Sequence, residues 1–98
     1  MKYDVFGMEV ITKIKRTSKF DKELKKIPDN IRKKFIFWVY LVETQGLLEV
    51  RKYKGYHDEP LRGDRKGQRS IRLNKAYRAI YKEVKGHIEI LMIEVNKT

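Results

Sequence analysis

Two arginines in the C-terminal half of the sequence carry its clearest chemistry. Arg72 and Arg78 lie in short segments rich in β-branched and aromatic residues, on either side of residues 74–76, and their alternating apolar and polar residues predict paired strands. If the connecting loop has three residues, Arg72 lies directly opposite Arg78. Like charges at opposite positions destabilise a sheet, so this register predicts an anion between them. The alternative is that both arginines pair with carboxylates such as Glu59 or Asp64.

The basic residues are concentrated in one stretch. The 98 residues include 24 Lys and Arg against 13 Asp and Glu, a net charge of +11. Residues 51–82 hold 11 basic and 3 acidic residues and every arginine of the second half. Arginine suits multidentate phosphate contacts, so the stretch predicts a polyanionic partner, either nucleic acid or an anionic membrane surface. A solvated basic face that only aids solubility is the alternative. Its candidates for contacting RNA phosphates are Arg62, Arg65, Lys66 and Arg69.

Several kinds of chemistry are excluded by the residues that are missing. There is no cysteine, and the two histidines, His57 and His87, are too few for a histidine-rich metal site. No glycine-rich phosphate loop and no suitably spaced carboxylate pair occurs. The longest apolar run has eight residues, and the N-terminus carries acidic residues and no apolar signal-peptide core. We therefore expect a cytoplasmic protein that needs no metal or cofactor and does not span a membrane.

The remaining side chains suit one reaction well. Arg, Lys, Tyr, Asn and a single His can assist the cleavage of RNA by its own 2′-hydroxyl, because the RNA itself supplies the nucleophile. The protein then has only to orient the ribose, neutralise charge on the phosphorus and move protons.

The positions of apolar residues predict the elements that hold these side chains. Residues 9–15 are rich in β-branched residues and predict a strand, and the stripes that follow predict a helix ending before Pro28 and a second helix from Asp29 to Gly46. Another helical turn is predicted just after Gly46. Three strands follow at residues 68–73, 77–83 and 87–95.

These elements predict a single α+β domain over residues 1–98, with residues 1–7 as an N-terminal extension. The order is β-α-α-β-β-β. The last three strands form an antiparallel meander to which the first strand can add, and both helices cover one face of this small antiparallel sheet. The other face is left free for function.

The sequence resembles the RelE/HigB toxins of bacterial type II toxin–antitoxin modules. The resemblance is carried by DEPLRGDRKGQRSIRLN at residues 58–74 and YRAIY at residues 77–81, with TSKFD at residues 17–21 and EVNK at residues 94–97. It implies a RelE-like sheet with helices on one side. It also implies a ribosome-associated endoribonuclease that cuts translated mRNA and is neutralised by an antitoxin encoded beside it.

The resemblance also implies roles for single residues. Arg72 and Arg78 match the arginines of the family's strand motif and would bind the phosphate and its transition-state charge. Lys52 and Lys54 fall where RelE-like members have basic residues before the sheet, and they would position mRNA or ribosomal RNA phosphates.

Two further candidates each have a structural alternative. His57 matches a loop histidine of HigB-like members and is a candidate proton carrier, or else an ordinary loop residue. Tyr81 is a candidate for stacking on a base or donating a proton, or else a core residue. Asn74 has the character of a turn residue.

The chain departs from the family pattern at its end. HigB-like chains usually continue past Val-Asn-Lys with a histidine and a tyrosine that contribute to the active site, whereas this sequence ends at Thr98. Full activity of this exact chain is therefore open, and it is expected to be a truncated, a detoxified or a divergent member.

Two other functions remain open on the same residues. One is a ParE-like toxin, which has the same fold and inhibits DNA gyrase by binding. The other is an RNA- or ribosome-binding protein without catalysis. The arginine-rich strand motif favours the nuclease, but fold alone does not separate the three.

Overall fold

The computed structural model describes residues 10–95, so the predicted N-terminal extension and the last three residues lie outside the description. The helices are α1 (Ser18–Leu24), α2 (Asp29–Gln45) and α3 (Leu47–Val50), and the strands are β1 (Ile14–Arg16), β2 (Glu59–Pro60), β3 (Gln68–Arg72), β4 (Tyr77–Val84) and β5 (His87–Val95). Two single 3₁₀ turns, Lys54–Tyr56 and Gly63–Arg65, lie before and after β2. Within residues 10–95, no helix is long and apolar enough to cross a membrane.

The five strands form one mixed sheet in the order β1-β5-β4-β3-β2. Strands β3, β4 and β5 form the predicted antiparallel meander, and the predicted α+β fold is confirmed. Strand β1 adds to β5 in parallel, with Ile14 opposite Ile88, so the sheet is mixed and not antiparallel throughout as predicted. A parallel partner is possible because two helices separate β1 from the meander and carry the chain back across the sheet.

The first strand is shorter than the sequence predicts. It begins only at Ile14. The carbonyl of Ile11 accepts a hydrogen bond from the Leu47 N–H at the start of α3. The short strand β2 was not predicted, since Glu59 and Pro60 have no strand-like pattern of their own; β2 exists through its antiparallel pairing with β3.

Helix α2 supplies most of the helical side of the core. Its stripe of Ile31, Phe35, Trp38 and Val42 is buried, as the helical spacing predicts. The helix ends at Gly46, where φ is +86° and a Cβ atom would lie 2.4 Å from a methyl carbon of Val10. Glycine is therefore needed at this position both for its backbone conformation and for space.

The two faces of the sheet have different surroundings. Ile71 and Ala79 pack with the helices in the core. The opposite face carries Arg72 and Arg78 but is only partly open, because Ile80 is completely buried there. We expected this whole face to be free, and the burial of Ile80 corrects that expectation.

Candidate active site

The β3–β4 hairpin places the two strand arginines side by side. Arg72 lies opposite Arg78, so the predicted register is confirmed. The turn is held by the side chain of Asn74, whose Oδ1 accepts hydrogen bonds from the N–H groups of Ala76 at 2.7 Å and Tyr77 at 2.8 Å. Asn74 is thus a turn residue, as its type suggests.

A cleft of about 120 Å³ opens beside this hairpin. It is lined by His57, Glu59, Ser70, Arg72, Asn74, Lys75, Tyr77 and Arg78. Three of the four predicted catalytic residues, His57, Arg72 and Arg78, therefore come together in one place, although they come from a loop and two strands. The cleft walls carry three cations against the single carboxylate of Glu59, which favours an anionic ligand.

Glu94 of β5 organises the arginines at the edge of this cleft. Arg78 donates to its Oε1 through Nε at 3.0 Å and Nη2 at 2.7 Å, and Arg65 Nη2 lies 2.5 Å from its Oε2. Partial burial alone would raise the pKa of Glu94, but the hydrogen bonds and charges of the two arginines outweigh burial and lower it.

The arginines do not pair with the carboxylates that the sequence suggested. The partner of Arg78 is Glu94 rather than Glu59 or Asp64. Arg72 is exposed and forms no ion pair within residues 10–95. One carboxylate shared by Arg65 and Arg78, with Arg72 beside them, leaves an excess of positive charge facing the cleft.

His57 reaches the cleft from an unusual backbone conformation. Its φ is +43°, in the left-handed region that non-glycine residues rarely adopt. Its N–H donates to the carbonyl of Lys54 at 3.1 Å, and its side chain is exposed. The imidazole is therefore open to a ligand, while the backbone that carries it is fixed in a strained turn.

Tyr81 lies on the other side of the sheet from the cleft. It is completely buried, its ring centroid is 5.5 Å from that of Trp38, and its hydroxyl donates to Asp58 at 2.5 Å. Burial raises its pKa, the carboxylate of Asp58 adds to this effect, and Arg51 opposes it. A base cannot stack on a ring without exposed surface, so we correct the predicted catalytic role in favour of the core role that the sequence left open.

The predicted RNA-contacting residues divide into two groups. Arg69 pairs with the buried carboxylate of Asp58 on the core side, and Arg65 pairs with Glu94. The remaining ones are exposed, and of these Lys52 pairs with Glu49 one turn away. The exposed ones are Lys52, Lys54, Arg62 and Lys66.

The sequence did not assign Glu94 or Lys75 to the site, and it suggested Glu59 only as an ion-pair partner of the arginines. Glu94 is opposite Arg78 across β4 and β5, which the strand register could have revealed had the bulge in β5 been known. Glu59 enters the cleft because β2 pairs with β3. Lys75 lies in the hairpin turn next to the arginines. Within residues 10–95, no group of three or more metal-ligating side chains occurs.

The fold is shared by solved toxin structures. No protein-family model and no curated protein matches the sequence. YafQ from E. coli strain BL21(DE3) is similar at TM-score 0.69 and 21% identity, over 85% of this chain and 91% of that chain. The RelE–RelB complex from Pyrococcus horikoshii OT3 is similar at TM-score 0.67 and 22% identity, over 97% and 96%.

A third similar structure is the YoeB dimer from Staphylococcus aureus, at TM-score 0.66 and 19% identity, over 87% of this chain and 97% of that chain. The chain thus has the fold of the RelE, YafQ and YoeB toxins of toxin–antitoxin modules. The resemblance to RelE indicated by the strand motif is confirmed at the level of the fold.

Proposed function

We propose that this RelE-like chain is the toxin of a toxin–antitoxin module and cuts mRNA on the ribosome through the RNA's own 2′-hydroxyl. The single observation that carries the proposal is the cleft in which Arg72 lies opposite Arg78 with His57 beside them. Arg78 has one carboxylate partner, Glu94, and Arg72 forms no ion pair within residues 10–95. Two adjacent like charges in this state favour a phosphate as the missing partner.

In the proposed reaction the 2′-oxygen attacks the adjacent phosphorus. The bond from phosphorus to the 5′-oxygen breaks, which leaves a 2′,3′-cyclic phosphate and a 5′-hydroxyl. Arg72 and Arg78 stabilise the negative charge that develops on the phosphoryl oxygens. Nε and Nη2 of Arg78 hold Glu94, so its Nη1 is left to face the phosphate.

His57 is the proposed proton carrier. Neutral imidazole has one ring nitrogen that accepts a proton and one that donates, so His57 can take the 2′-hydroxyl proton and return it to the departing 5′-oxygen. Its exposed position in the cleft supports this role. The reaction consumes no oxidant or cofactor, and no step in it requires a metal.

The exposed cations outside the cleft are proposed to hold the RNA. Lys52, Lys54, Arg62 and Lys66 are exposed and would contact phosphates of mRNA or ribosomal RNA. Arg69 is withdrawn from this set, because its guanidinium is already bound to Asp58. A translated mRNA as substrate implies action in the cytoplasm.

An antitoxin is the proposed protein partner. The similar RelE of Pyrococcus horikoshii was crystallised with RelB, and YafQ of E. coli with DinJ. A net charge of +11 favours a partner with an acidic surface. Coexpression with the small reading frame next to the gene should give a stable complex whose toxin no longer inhibits growth.

The test of the proposed function is to induce the gene and map the ends of cellular transcripts. Discrete cuts within translated frames, lost in Arg72→Ala, are the expected result. Blocked DNA replication with intact mRNA would support the second candidate, a ParE-like gyrase inhibitor. This candidate is favoured by the similarity to a structure from Agrobacterium tumefaciens that is described as a YoeB/ParE toxin. If neither transcript cuts nor blocked replication is observed, the result would support an RNA-binding protein without catalysis.

A further inference from the structure

The segment between the first 3₁₀ turn and β2 alternates between buried and exposed side chains. Tyr56 is buried, and the side chain of Asp58 is only 1% exposed. His57 and Glu59, which alternate with them, are exposed and line the cleft. His57 is thus flanked in sequence by two residues with buried side chains, which can fix the orientation of its imidazole.

Asp58 is attached to two strands of the sheet. Its Oδ1 accepts from Arg69 Nε at 2.6 Å, and its Oδ2 accepts from the Tyr81 hydroxyl at 2.5 Å. Arg51 Nε lies 4.0 Å from Oδ2 and donates to the Tyr81 hydroxyl at 3.2 Å. Both carboxylate oxygens therefore have a partner, as a buried carboxylate requires.

Tyr56 provides a separate attachment on the other side of His57. Its hydroxyl donates to the carbonyl of Lys34 on α2 at 2.8 Å. The ammonium of Lys34 lies 5.2 Å from the centre of the Tyr56 ring and donates to the carbonyl of Gly55 at 3.2 Å. The loop is thus joined to α2 before His57 and to β3 and β4 after it.

The left-handed backbone of His57 needs such support. A histidine at a φ of +43° is less stable than one in the ordinary regions, and it stays there only when its surroundings impose the conformation. We propose that Asp58 is a positioning residue that holds His57 in this conformation with its imidazole in the cleft. Asp58 is buried, so it does not touch the RNA and acts only through its neighbour.

The inference rests on the proposed function for its effect on activity, but its structural part can be tested alone. The test compares the wild type with Asp58→Asn, which keeps the size of the side chain and removes its charge. The backbone ¹⁵N order parameter of His57 is measured in both, with His87 on β5 as an internal reference. We expect about 0.85, typical of a rigid backbone, for the wild type and below about 0.6 for the variant, with His87 unchanged.

Ribosome-dependent cutting is measured on the same proteins. We expect kcat of Asp58→Asn to fall about tenfold while KM changes less than twofold, because the exposed cations that bind RNA are untouched. The matched control is Val42→Ala, which removes buried carbons from α2 two turns beyond Lys34 and lowers stability without touching the loop. This control should keep the wild-type kcat at a temperature where all three proteins are folded.

Unchanged His57 order parameters in folded Asp58→Asn would overturn the inference, whether or not the protein cuts RNA. A wild type that never cuts, combined with a loosened His57 in the variant, would instead overturn the proposed function and leave the positioning role standing. If Asp58→Asn does not fold, Tyr81→Phe serves as the second variant, because it removes one of the two hydrogen bonds to Asp58 and keeps the charge and the aromatic ring.

Discussion

Arg69 and Arg72 lie three residues apart on β3, and they face opposite sides of the sheet. Arg69 faces the helices and donates to the buried carboxylate of Asp58 at 2.6 Å. Arg72 faces the cleft, is exposed, and forms no ion pair within residues 10–95. The same residue type in the same strand is thus a structural element on one face and a candidate binding group on the other.

The comparison extends to the neighbours of both arginines. On the core side, Arg51 and Arg69 are matched by Glu83 and Asp58. On the cleft side, Arg65 and Arg78 share Glu94, and Arg72 adds a further charge. Removing one partner of a charge that is neutralised within the protein destabilises the fold, whereas charge left in excess remains available to a ligand. A count of basic residues alone does not distinguish the two sets.

The largest expected effect is on the cleft side. Losing Arg72 or Arg78 by substitution with alanine removes one preorganised charge-assisted contact, which is worth about 3 kcal/mol in the transition state, or roughly a hundredfold in rate. Arg72→Ala should change the free energy of unfolding by less than about 0.5 kcal/mol, since Arg72 is exposed. Single-turnover cleavage on programmed ribosomes and urea unfolding measure the two quantities. Wild-type cutting by both variants would show that the site lies elsewhere.

The opposite result is expected for Arg69. Arg69→Ala leaves the carboxylate of Asp58 buried with one hydrogen bond fewer, which should lower the unfolding free energy by about 2 kcal/mol. The cost is smaller than for a fully buried ion pair, because the guanidinium is itself partly exposed. Urea unfolding of Arg69→Ala and Arg72→Ala under one set of conditions checks this. Equal stability of the two variants would remove the distinction between the faces.

A smaller effect is expected on the pH dependence of stability, through Glu94 on the cleft side. The pKa of Glu94 is lowered in the folded protein, so its contribution to stability is full above about pH 4.5, its ordinary value, and is lost as pH falls below it. This contribution is on the order of 1 kcal/mol, because solvent screening at this partly exposed carboxylate reduces the larger value of a buried charged hydrogen bond. Glu94→Gln should show a weaker loss of stability on acidification than the wild type. Identical acid unfolding curves for the two would contradict this role.

The smallest effects are expected from the exposed cations. The binding constant falls as salt rises, and the steepness of this fall reflects the number of phosphate contacts. Each of Lys52→Ala, Lys54→Ala and Arg62→Ala should reduce the magnitude of the log–log slope by roughly 0.7–0.9, as expected for the loss of one phosphate contact. Arg69→Ala should leave this slope unchanged, because Asp58 already neutralises it. Filter binding to ribosomes between low and moderate salt provides the slopes, and a binding constant insensitive to salt would exclude the basic stretch from binding.

Local sequence patterns predicted the parts of the fold that depend on neighbouring residues. Helix α2 followed from the spacing of Ile31, Phe35 and Trp38, and the register of Arg72 followed from the length of one turn. The site required more. Asp58 and Tyr81 are 23 residues apart in sequence. The alternation of side chains along β4 did not determine whether Tyr81 faces the core or the cleft.

The bulge in β5 likewise made the pairing partner of Glu94 impossible to predict from the sequence. The register of β4 and β5 shifts between Ile80 and Tyr81, so alternation counted from the β4–β5 turn assigns residues beyond it to the wrong partners. Nothing in the sequence marks this shift. The pairing of Glu94 with Arg78 therefore became visible only in the structure, although both residues belong to motifs that the sequence analysis had already identified.

In the proposed reaction, the cleft promotes attack by the RNA's own 2′-hydroxyl. The most direct test of this reaction uses ribosomes programmed with an mRNA that carries a single 2′-deoxyribose at the nucleotide cut in the all-ribose message. We expect the wild type to cut the all-ribose mRNA and leave a 2′,3′-cyclic phosphate, equally well after metal ions are chelated on stabilised ribosomes. We expect it not to cut the deoxy-substituted mRNA. Cutting of both messages at the same position and rate would contradict the proposed reaction.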